Sequence, residues 1–464
     1  MIRIAPESLG SARFLKEYGV KYAYLAGAMY KGIASKELVV ALGKAGLLGY
    51  LGTGGMNRSE VEASIRYIQR ELDRGQGYGL NLLCNLDRPE LEEEVVDLCL
   101  KYGVRFVEAA AFIQLTPSVV RYRLHGIRRN DRGEVVVPNR VLAKVSRPEV
   151  ARVFMEPAPA AIVDQLVAAG QLTPEEARLG RTVPVAHEIC VEADSGGHTD
   201  QGVAYALMPA IFGLRDEVQG RFSYDKPILV GAAGGIGSPH AAAAAFAMGA
   251  DFVLTGSINQ CTVEAGTSDS AKDLLQGVGV NDTAYAPAGD MFELGAKVQV
   301  VKRGVFFPAR ANKLYELYQR HSSLDEIDRE TRHQLESKYF QRSFEDVWQE
   351  TRAYYMRSNP DRIADIDQNH RKKMLLVFRW YFVHSTRLAV QGIQEQRVNY
   401  QIQCGPAMGA FNLWVKGTDL ESWRNRRVAD IAQRLMHGAA EVLQTNLSGM
   451  VARSRADASR GVVQ

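Results

Sequence analysis

The stretch PILVGAAGGIGSPHAAAAAFAMGADFVLTGS, residues 227–257, decides the fold predicted for this chain. It begins and ends with an apolar run that lacks the polar–apolar alternation of a half-exposed strand, a pattern typical of parallel strands covered on both faces. Between the two runs lies an alanine-rich segment that Ser238 can cap, with Pro239 in its first turn and Gly249 at its end. The stretch therefore predicts a strand–helix–strand unit of a parallel sheet.

Similar apolar runs recur upstream, separated by segments with the spacing of amphipathic helices. After Asn57, for example, Val61, Ile65 and Ile68 share one helical face. The eight predicted strands lie at 22–29, 47–55, 78–85, 104–112, 140–146, 188–197, 227–235 and 251–257. Eight strands, each followed by a helix or crossover, predict an α/β fold of the (β/α)8 TIM-barrel type, with an open doubly wound sheet as the alternative.

The chain is predicted to divide into a barrel domain and a helical region. The barrel spans 1–309 and carries two insertions, a basic turn or hairpin near 121–139 and a helical excursion near 156–184. Within it, residues 264–295 are rich in glycine and aspartate and predict a loop. The remainder, 310–464, contains charged helical segments and predicts a mostly helical C-terminal region packed beside the barrel.

Composition limits the class of protein and of partner. The 464 residues are 46% hydrophobic and 23% charged with a net charge of +3, which predicts a globular protein and does not favour a nucleic-acid partner. The five cysteines are widely separated and lack ligand spacing, so neither a disulfide framework nor a metal site is expected. The most apolar aromatic run, 375–384, contains Arg379 and is too short to span a bilayer. With no apolar leader at the N-terminus either, we predict a cytoplasmic protein without a membrane partner.

The functional groups of a barrel lie at the carboxyl ends of its strands, where the eight following loops line one opening. The residues predicted at those ends are Gly27, Ala28, Met29, Gly52, Thr53, Gly54, Gly55, Asn81, Glu108, Lys144, the segment 194–198, Gly234, Gly235, Gly256 and Ser257. Two glycine loops on the last two strands favour a phosphate site, because glycines let backbone N–H groups approach an anion closely. The alternative is that these glycines only form tight turns.

Two motifs allow more than one interpretation. GAAGGIG, residues 231–237, could be a dinucleotide fingerprint, but it follows the seventh strand and no clear acid ends the next one, which favours a phosphate loop. EADSGGHTDQG, residues 192–202, places His198 after two glycines and between Asp194 and Asp200. His198 is then either an active-site residue at a strand end or a polar residue of a turn.

The sequence resembles the flavin-dependent barrel family that contains nitronate monooxygenases and the FMN-type enoyl reductases of bacterial fatty-acid synthesis. Within that family it is most similar to the trans-acting enoyl reductases of polyketide and polyunsaturated-fatty-acid synthases. The resemblance is carried by YAYLAGAMYKGIASKELVVALGKAGLLGYLGTGGM, YGLNLLCN, AKVSRPEVARVFMEPAP, EADSGGHTDQG, VGAAGGIGSPHAAAAAFAMGADFVLTGSINQ and GDMFELGAKVQVVKRGVFFPARANKLY.

The resemblance implies bound FMN and assigns candidate roles to the strand-end residues. The residues implied to bind the FMN phosphate are Gly234, Gly235, Gly256 and Ser257, and those near its ring are Gly27, Ala28, Met29, Asn81 and Lys144. A positive Lys144 would stabilise the reduced flavin; alternatively, Lys144 is a solvated rim residue paired with Glu108. His198 and Lys144 are the candidate catalytic residues, with His198 orienting and hydrogen-bonding the substrate.

The function implied is NADPH-dependent reduction of 2-enoyl thioesters on an acyl carrier protein of a polyketide or fatty-acid synthase. Basic clusters at 121–129, 370–374 and 423–427 could steer that acidic carrier protein. A nitronate monooxygenase-like oxidase, a non-redox phosphate-binding barrel and a catalytically silent docking module are the alternatives. The sequence does not determine the oligomeric state, and a homodimer is one alternative.

Overall fold

A computed structural model describes residues 3–86, 88–358 and 363–460. It divides the chain into two compact units, each built from separate segments. The first unit comprises Met1–Asp194, Gln201–Gly266 and Trp414–Gln464, and the second comprises Ser195–Asp200 and Thr267–Leu413. No helix in the described ranges is long and apolar enough to cross a membrane.

In chain order the strands are β1 (Tyr24–Ala26), β2 (Leu48–Leu51), β3 (Gly79–Leu83), β4 (Phe106–Ala110), β5 (Arg128–Arg129), β6 (Val135–Val136), β7 (Arg140–Val145), β8 (Glu188–Glu192), β9 (Gly197–His198), β10 (Leu229–Ala233), β11 (Val253–Thr255), β12 (Thr283–Pro287) and β13 (Lys297–Val301). Eight of them close into a parallel barrel in the order β1-β11-β10-β8-β7-β4-β3-β2. The predicted TIM barrel is therefore confirmed, and an open sheet is excluded because β1 pairs with both β2 and β11.

The α-helices of the described ranges are α1 (Ala12–Tyr18), α2 (Lys36–Lys44), α3 (Arg58–Glu71), α4 (Pro89–Lys101), α5 (Pro117–Leu124), α6 (Pro148–Met155), α7 (Ala160–Ala168), α8 (Pro174–Gly180), α9 (Ala204–Phe222), α10 (Pro239–Ala247), α11 (Ser257–Gln260), α12 (Asp269–Leu275), α13 (Phe307–Arg320), α14 (Arg329–Gln334), α15 (Phe344–Ser358), α16 (Ile363–Gln368), α17 (His370–Gln391), α18 (Ala407–Trp414) and α19 (Val428–Arg460). A short π-helix, Leu335–Phe340, follows α14.

Local capping contacts begin helices α3 and α10, and the cap of α10 is the one predicted from the sequence. Asn57 and Glu60 form a reciprocal capping box at the start of α3. The Ser238 hydroxyl accepts a hydrogen bond from the Ala241 N–H at the start of α10, where Pro239 is the first helical residue. These local contacts fix where each helix begins, and so how it returns to the barrel.

An aromatic cluster closes the amino-terminal end of the barrel. Phe14 of α1 stacks on Tyr18 at 4.2 Å and on Phe252 at 4.6 Å, and Tyr18 lies 4.9 Å from Phe106 at the first position of β4. All four rings are buried, so this end is filled by side chains. The opposite, carboxyl-terminal end of the strands is left to carry a site.

Both stretches predicted as insertions contain secondary structure, and one of them differs from the expectation. Residues 160–180 carry α7 and α8, as predicted for the helical excursion. In the other insertion β5 and β6 form the predicted hairpin, with Arg128 opposite Val136. The first residues assigned to that hairpin belong instead to α5, because Thr116 caps a helix in which Pro117 is the first residue.

The segment 264–295 is not the plain loop that its composition indicated. It contains α12 and β12, and β12 pairs antiparallel with β13, with Tyr285 opposite Gln299. Gly279 and Asp282 form part of the turn between α12 and β12, where the Gly279 N–H donates to Asp282 Oδ2 at 2.8 Å. The strand was missed because its partner follows ten residues later and its own sequence, TAYAP, has little strand signal.

The second unit is built on this antiparallel sheet and an aromatic core. Phe292 lies 5.3 Å edge-on from Phe382, and Phe307 stacks on Tyr381 of α17 at 6.0 Å. The sheet order is β12-β13-β9, so its third strand comes from residues 197–198. The strand predicted over 188–197 is therefore wrong at its end, since β8 stops at Glu192 and Gly197 belongs to a different sheet.

Candidate active site

A half-buried lysine lies between two carboxylates at the carboxyl ends of the barrel strands. Lys144 Nζ, near the end of β7, is 3.5 Å from Glu108 Oε1 on β4 and 3.4 Å from Glu192 Oε1 at the last residue of β8. Glu108 Oε2 accepts a hydrogen bond of 2.7 Å from the Ala28 backbone N–H, which follows β1. Residues from four strand ends thus meet through Glu108 and Lys144.

Burial and charge act in opposite directions on this cluster. Burial alone would lower the pKa of Lys144, but the carboxylates of Glu192 and Glu108 outweigh it and raise that pKa above its ordinary value. Burial raises the pKa of Glu108, although Lys144 and the Ala28 N–H oppose the shift. Lys144 therefore carries a fixed positive charge near neutral pH.

The structure agrees with one part of the alternative interpretation of Lys144, a rim lysine paired with Glu108, and disagrees with the other. The ion pair with Glu108 exists, but it does not lie at a solvated rim, because the Lys144 side chain is only 18% exposed and Glu108 is fully buried. A cation in such surroundings acts on a nearby charge through a low dielectric.

Asn81 is oriented by Thr53, from the loop after β2. The Thr53 N–H donates to Asn81 Oδ1 at 2.8 Å, and the Thr53 hydroxyl donates to Asn81 at the same distance. Asn81 is 6% exposed, and its Nδ2 makes no hydrogen bond within the described chain. A nearly buried amide donor without a protein partner is one of the groups that a bound molecule would satisfy.

The glycine loops after β10 and β11 start side by side, since Ala233 is aligned with Leu254 in the parallel pair. Gly234 has a φ of +84°, and a Cβ there would lie 2.4 Å from the Ala193 carbonyl oxygen. At Gly235 and Gly256, by contrast, an added Cβ would meet no atom of the described residues within 4 Å. The backbone is therefore exposed to an open space here, as an anion site requires.

The residues after β1 form a backbone surface beside these loops. The Gly27 N–H donates to the Thr255 carbonyl of β11 at 2.9 Å, and a Cβ on Gly27 would lie 2.6 Å from Leu254. The Met29 carbonyl approaches Gly52 so closely that a Cβ there would lie 1.7 Å from it. Ala28 and Met29 themselves are half-buried.

His198 belongs to the second unit. The Asp194 N–H donates to the Gly202 carbonyl at 2.8 Å, and the six residues 195–200 between them leave the barrel unit. His198 lies opposite Val298 in the pairing of β9 with β13. Gly196 is required there, because a Cβ would lie 2.7 Å from the Gly405 nitrogen. His198 is thus part of an ordered strand, and its catalytic role stays a prediction.

Asp290 is a functional candidate that sequence reasoning missed. Its Oδ1 lies 2.9 Å from His198 Nε2, and Asp290 follows β12 within the same unit. The motif GDMFELG supported the resemblance, but an acid in a glycine-rich segment gives no local signal of its partner. The pair is 92 residues apart in the chain, so only the folded sheet brings it together.

A closed (β/α)8 barrel, with open glycine loops and a lysine between two carboxylates at its strand ends, places the chain in the class of TIM barrels. The chain belongs to the nitronate monooxygenase family, whose model matches residues 13–290. A second model, the inserted helical domain of acyl-carrier-protein S-malonyltransferase, matches residues 321–400.

The chain is similar to proteins of polyketide and polyunsaturated-fatty-acid synthesis. It is 56% identical over 447 residues to the polyketide biosynthesis protein PksE of Bacillus subtilis, covering 96% of this chain and 58% of PksE. It is 42% identical over 445 residues to a component of the polyunsaturated fatty acid synthase of Thraustochytrium sp., covering 94% of this chain and 30% of that protein. The chain thus spans less than two thirds of the length of these curated relatives.

A solved structure matches almost end to end. The enoyl reductase domain of MlnA, from the macrolactin biosynthesis cluster of Bacillus amyloliquefaciens, is 45% identical with a TM-score of 0.92. The match covers 96% of this chain and 99% of that one. The similarity therefore includes both compact units and the strand ends described above.

Proposed function

We propose that this chain is an FMN-dependent enoyl reductase that reduces the 2,3 double bond of enoyl thioesters on an acyl carrier protein, with NADPH as reductant. The observation that carries the proposal is the end-to-end similarity to the MlnA enoyl reductase domain. The cluster of Lys144 with Glu108 and Glu192 and the open glycine loops supply groups that such a reaction needs. Polyketide or polyunsaturated-fatty-acid biosynthesis is the setting that the curated relatives support.

The residues present fit FMN. The open space at Gly235 and Gly256 suits a phosphate, with the backbone of Gly234 and Ser257 as further contacts. When bound, FMN would supply hydride transfer to the β-carbon of the enoyl group. Lys144 holds a positive charge that favours the anionic form of the reduced cofactor, and the unpartnered Asn81 amide can donate a hydrogen bond.

In this proposal His198 hydrogen-bonds and orients the thioester carbonyl, as the resemblance implies. Asp290 holds the imidazole through Nε2, which restricts rotation of the ring. A proton must also reach the α-carbon for the reduction to balance. The carrier-protein partner is supported by the match of residues 321–400 to a domain of an enzyme that acts on such carriers.

One experiment separates the candidate functions. The purified protein is reduced anaerobically with NADPH and then mixed with a crotonyl thioester, or separately with O2 or a nitronate. Fast reoxidation by the enoyl thioester supports the reductase. A colourless protein without flavin would refute the proposal and favour a non-redox phosphate-binding barrel.

The second candidate is a nitronate monooxygenase-like oxidase, because the model of that family matches residues 13–290. It predicts fast reoxidation by O2 or a nitronate and slow reoxidation by the crotonyl thioester. That result would overturn the reductase while leaving the flavin site intact.

A further inference from the structure

A positively charged groove runs along the outer wall of the barrel unit, between α2 and α3. It has a volume of about 420 Å³. Its lining includes Lys36, Ser59, Glu62, Arg66, Tyr67 and Arg70. Five of these residues lie on α3 at spacings of three and four, so they form one continuous helical face.

The cations of the groove surround an aromatic ring. Lys36 Nζ lies 5.0 Å and the Arg70 guanidinium 5.2 Å from the centre of the Tyr67 ring. The side chains of Arg66 and Arg70 are 65% and 71% exposed. Exposed cations around a half-buried aromatic ring offer both charge and apolar contact to a partner.

The single acid of the lining does not cancel this charge. Glu62 Oε1 lies 2.8 Å from Lys101 and 3.3 Å from Arg66. The hydrogen bond from Lys101 lowers the pKa of Glu62 to about 2, so Glu62 stays ionised and neutralised by its neighbours. Lys36 lies 3.8 Å from Glu37, and Glu71 lies 3.6 Å from Arg70 and 3.0 Å from Lys44. The five cations Lys36, Lys44, Arg66, Arg70 and Lys101 still outnumber the three carboxylates Glu37, Glu62 and Glu71, so the surface keeps a net positive charge.

The position of the groove connects it to the candidate active site. α2 begins at Lys36, after the loop that follows β1, and α3 begins at Arg58, after the loop that follows β2. One end of the groove therefore lies at the same end of the barrel as residues 27–29. A partner bound in the groove could direct an extended thioester arm over that rim.

Several residues of the basic clusters noted in the sequence are buried or paired. Arg123 is buried and donates to the Asn139 carbonyl, and Arg121 pairs with Asp97 at 2.8 Å. Arg426 is buried against Cys261, and Lys373 pairs with Glu345. Of the first cluster, Arg128 and Arg129 remain exposed, which makes them a suitable control.

We infer that the α2–α3 groove is the docking surface for an acidic helix of the acyl carrier protein, an inference that rests on the proposed function. Carboxylates of that helix would meet Arg66, Arg70 and Lys36, while its apolar residues contact Tyr67. Such steering acts on association, so it changes the KM for the carrier-bound substrate and not the chemical step.

The test compares two double charge reversals, Arg66→Glu with Arg70→Glu, and the control Arg128→Glu with Arg129→Glu. The groove variant should raise the KM for a crotonyl thioester on the carrier protein at least 10-fold, with kcat unchanged. Its KM for a small crotonyl thioester should stay within 2-fold of the wild type. The control pair should leave both values unchanged.

Direct binding keeps this inference separate from the proposed function. Fluorescence anisotropy of labelled carrier protein should show weakened binding to the groove variant, and wild-type binding that weakens with salt. If the wild-type enzyme reduces no enoyl thioester but the groove variant alone loses carrier binding, the function fails and the surface stands. Unchanged binding in the groove variant, or loss only in the control pair, would overturn the surface. Far-UV circular dichroism and the milder variant Arg70→Ala show whether the effect of the double charge reversal comes from misfolding.

Discussion

Lys144 has two effects at the scale of the single residue, because its charge both compensates buried carboxylates and is available to a ligand. Lys144→Met leaves Glu108 buried without its cation, and we expect a loss of about 3–5 kcal/mol in unfolding free energy. Enoyl turnover should fall at least 10-fold. Urea unfolding and steady-state rates measure the two effects.

The paired variant distinguishes these effects. Lys144→Met combined with Glu108→Gln removes the uncompensated charge, so most of the stability should return while turnover stays low. Recovery of both would mean that Lys144 is only a structural counter-ion.

His198 and Asp290 can be tested in the same way. His198→Ala should retain FMN and far-UV structure but lose about 10²-fold in enoyl turnover, the scale expected for a lost polarising group. Asp290→Asn keeps the size of the side chain and weakens its hold on the ring, so a loss of about 10-fold is expected. If His198→Ala turns over enoyl thioesters at the wild-type rate, His198 has only a structural role in β9.

Glu92 predicts a pH dependence of stability. It is 2% exposed on α4, and burial raises its pKa from 4.5 to about 7, although the Thr116 hydroxyl donates to it. The raised pKa means that its contribution is fully present below pH 4.5 and is lost as the pH rises through about 7, by roughly 3 kcal/mol. Glu92→Gln should remove that loss.

Urea unfolding at pH 5 and pH 8 measures this effect. The wild type should lose more stability between the two values than Glu92→Gln does. Parallel behaviour of the two proteins would show that Glu92 ionises like an exposed acid.

At the scale of the element, the loops after β10 and β11 differ in how well they tolerate a side chain in place of glycine. Gly234 needs its left-handed φ and its contact with Ala193, so any side chain there disturbs the fold as well as the proposed phosphate site. Gly256 has a φ of −126° and open space before it. A substitution at Gly256 therefore tests the proposed phosphate site without a direct clash between the new side chain and the protein.

We expect Gly256→Leu to fold as the wild type but to purify with less than about a tenth of its FMN, because the side chain would occupy the phosphate position. The flavin absorbance per protein measures this occupancy. Gly213→Ala, on α9 where a Cβ also meets no described atom, is the control and should keep its flavin. Full occupancy in Gly256→Leu would contradict the phosphate assignment.

At the scale of the whole molecule, each of the two units is built from segments that are not consecutive in the sequence. The second unit takes β9 from a six-residue excursion that starts after Asp194, and α19 belongs to the barrel unit, where Gly438 packs on Pro239 of α10. In both cases the segment, 195–200 or 414–464, belongs to a different unit from the residues just before it in the chain. A division at one point in the chain would cut both units.

The sequence by itself determined the eight barrel strands, the caps of α3 and α10 and the glycine loops, because apolar periodicity and turn chemistry act over a few residues. Only the tertiary structure decided that Lys144 is shared by Glu108 and Glu192, and that His198 pairs with Asp290 in a second unit. These contacts join residues far apart in the chain. Their partners are selected by strand pairing and packing, which leave no local pattern in the sequence.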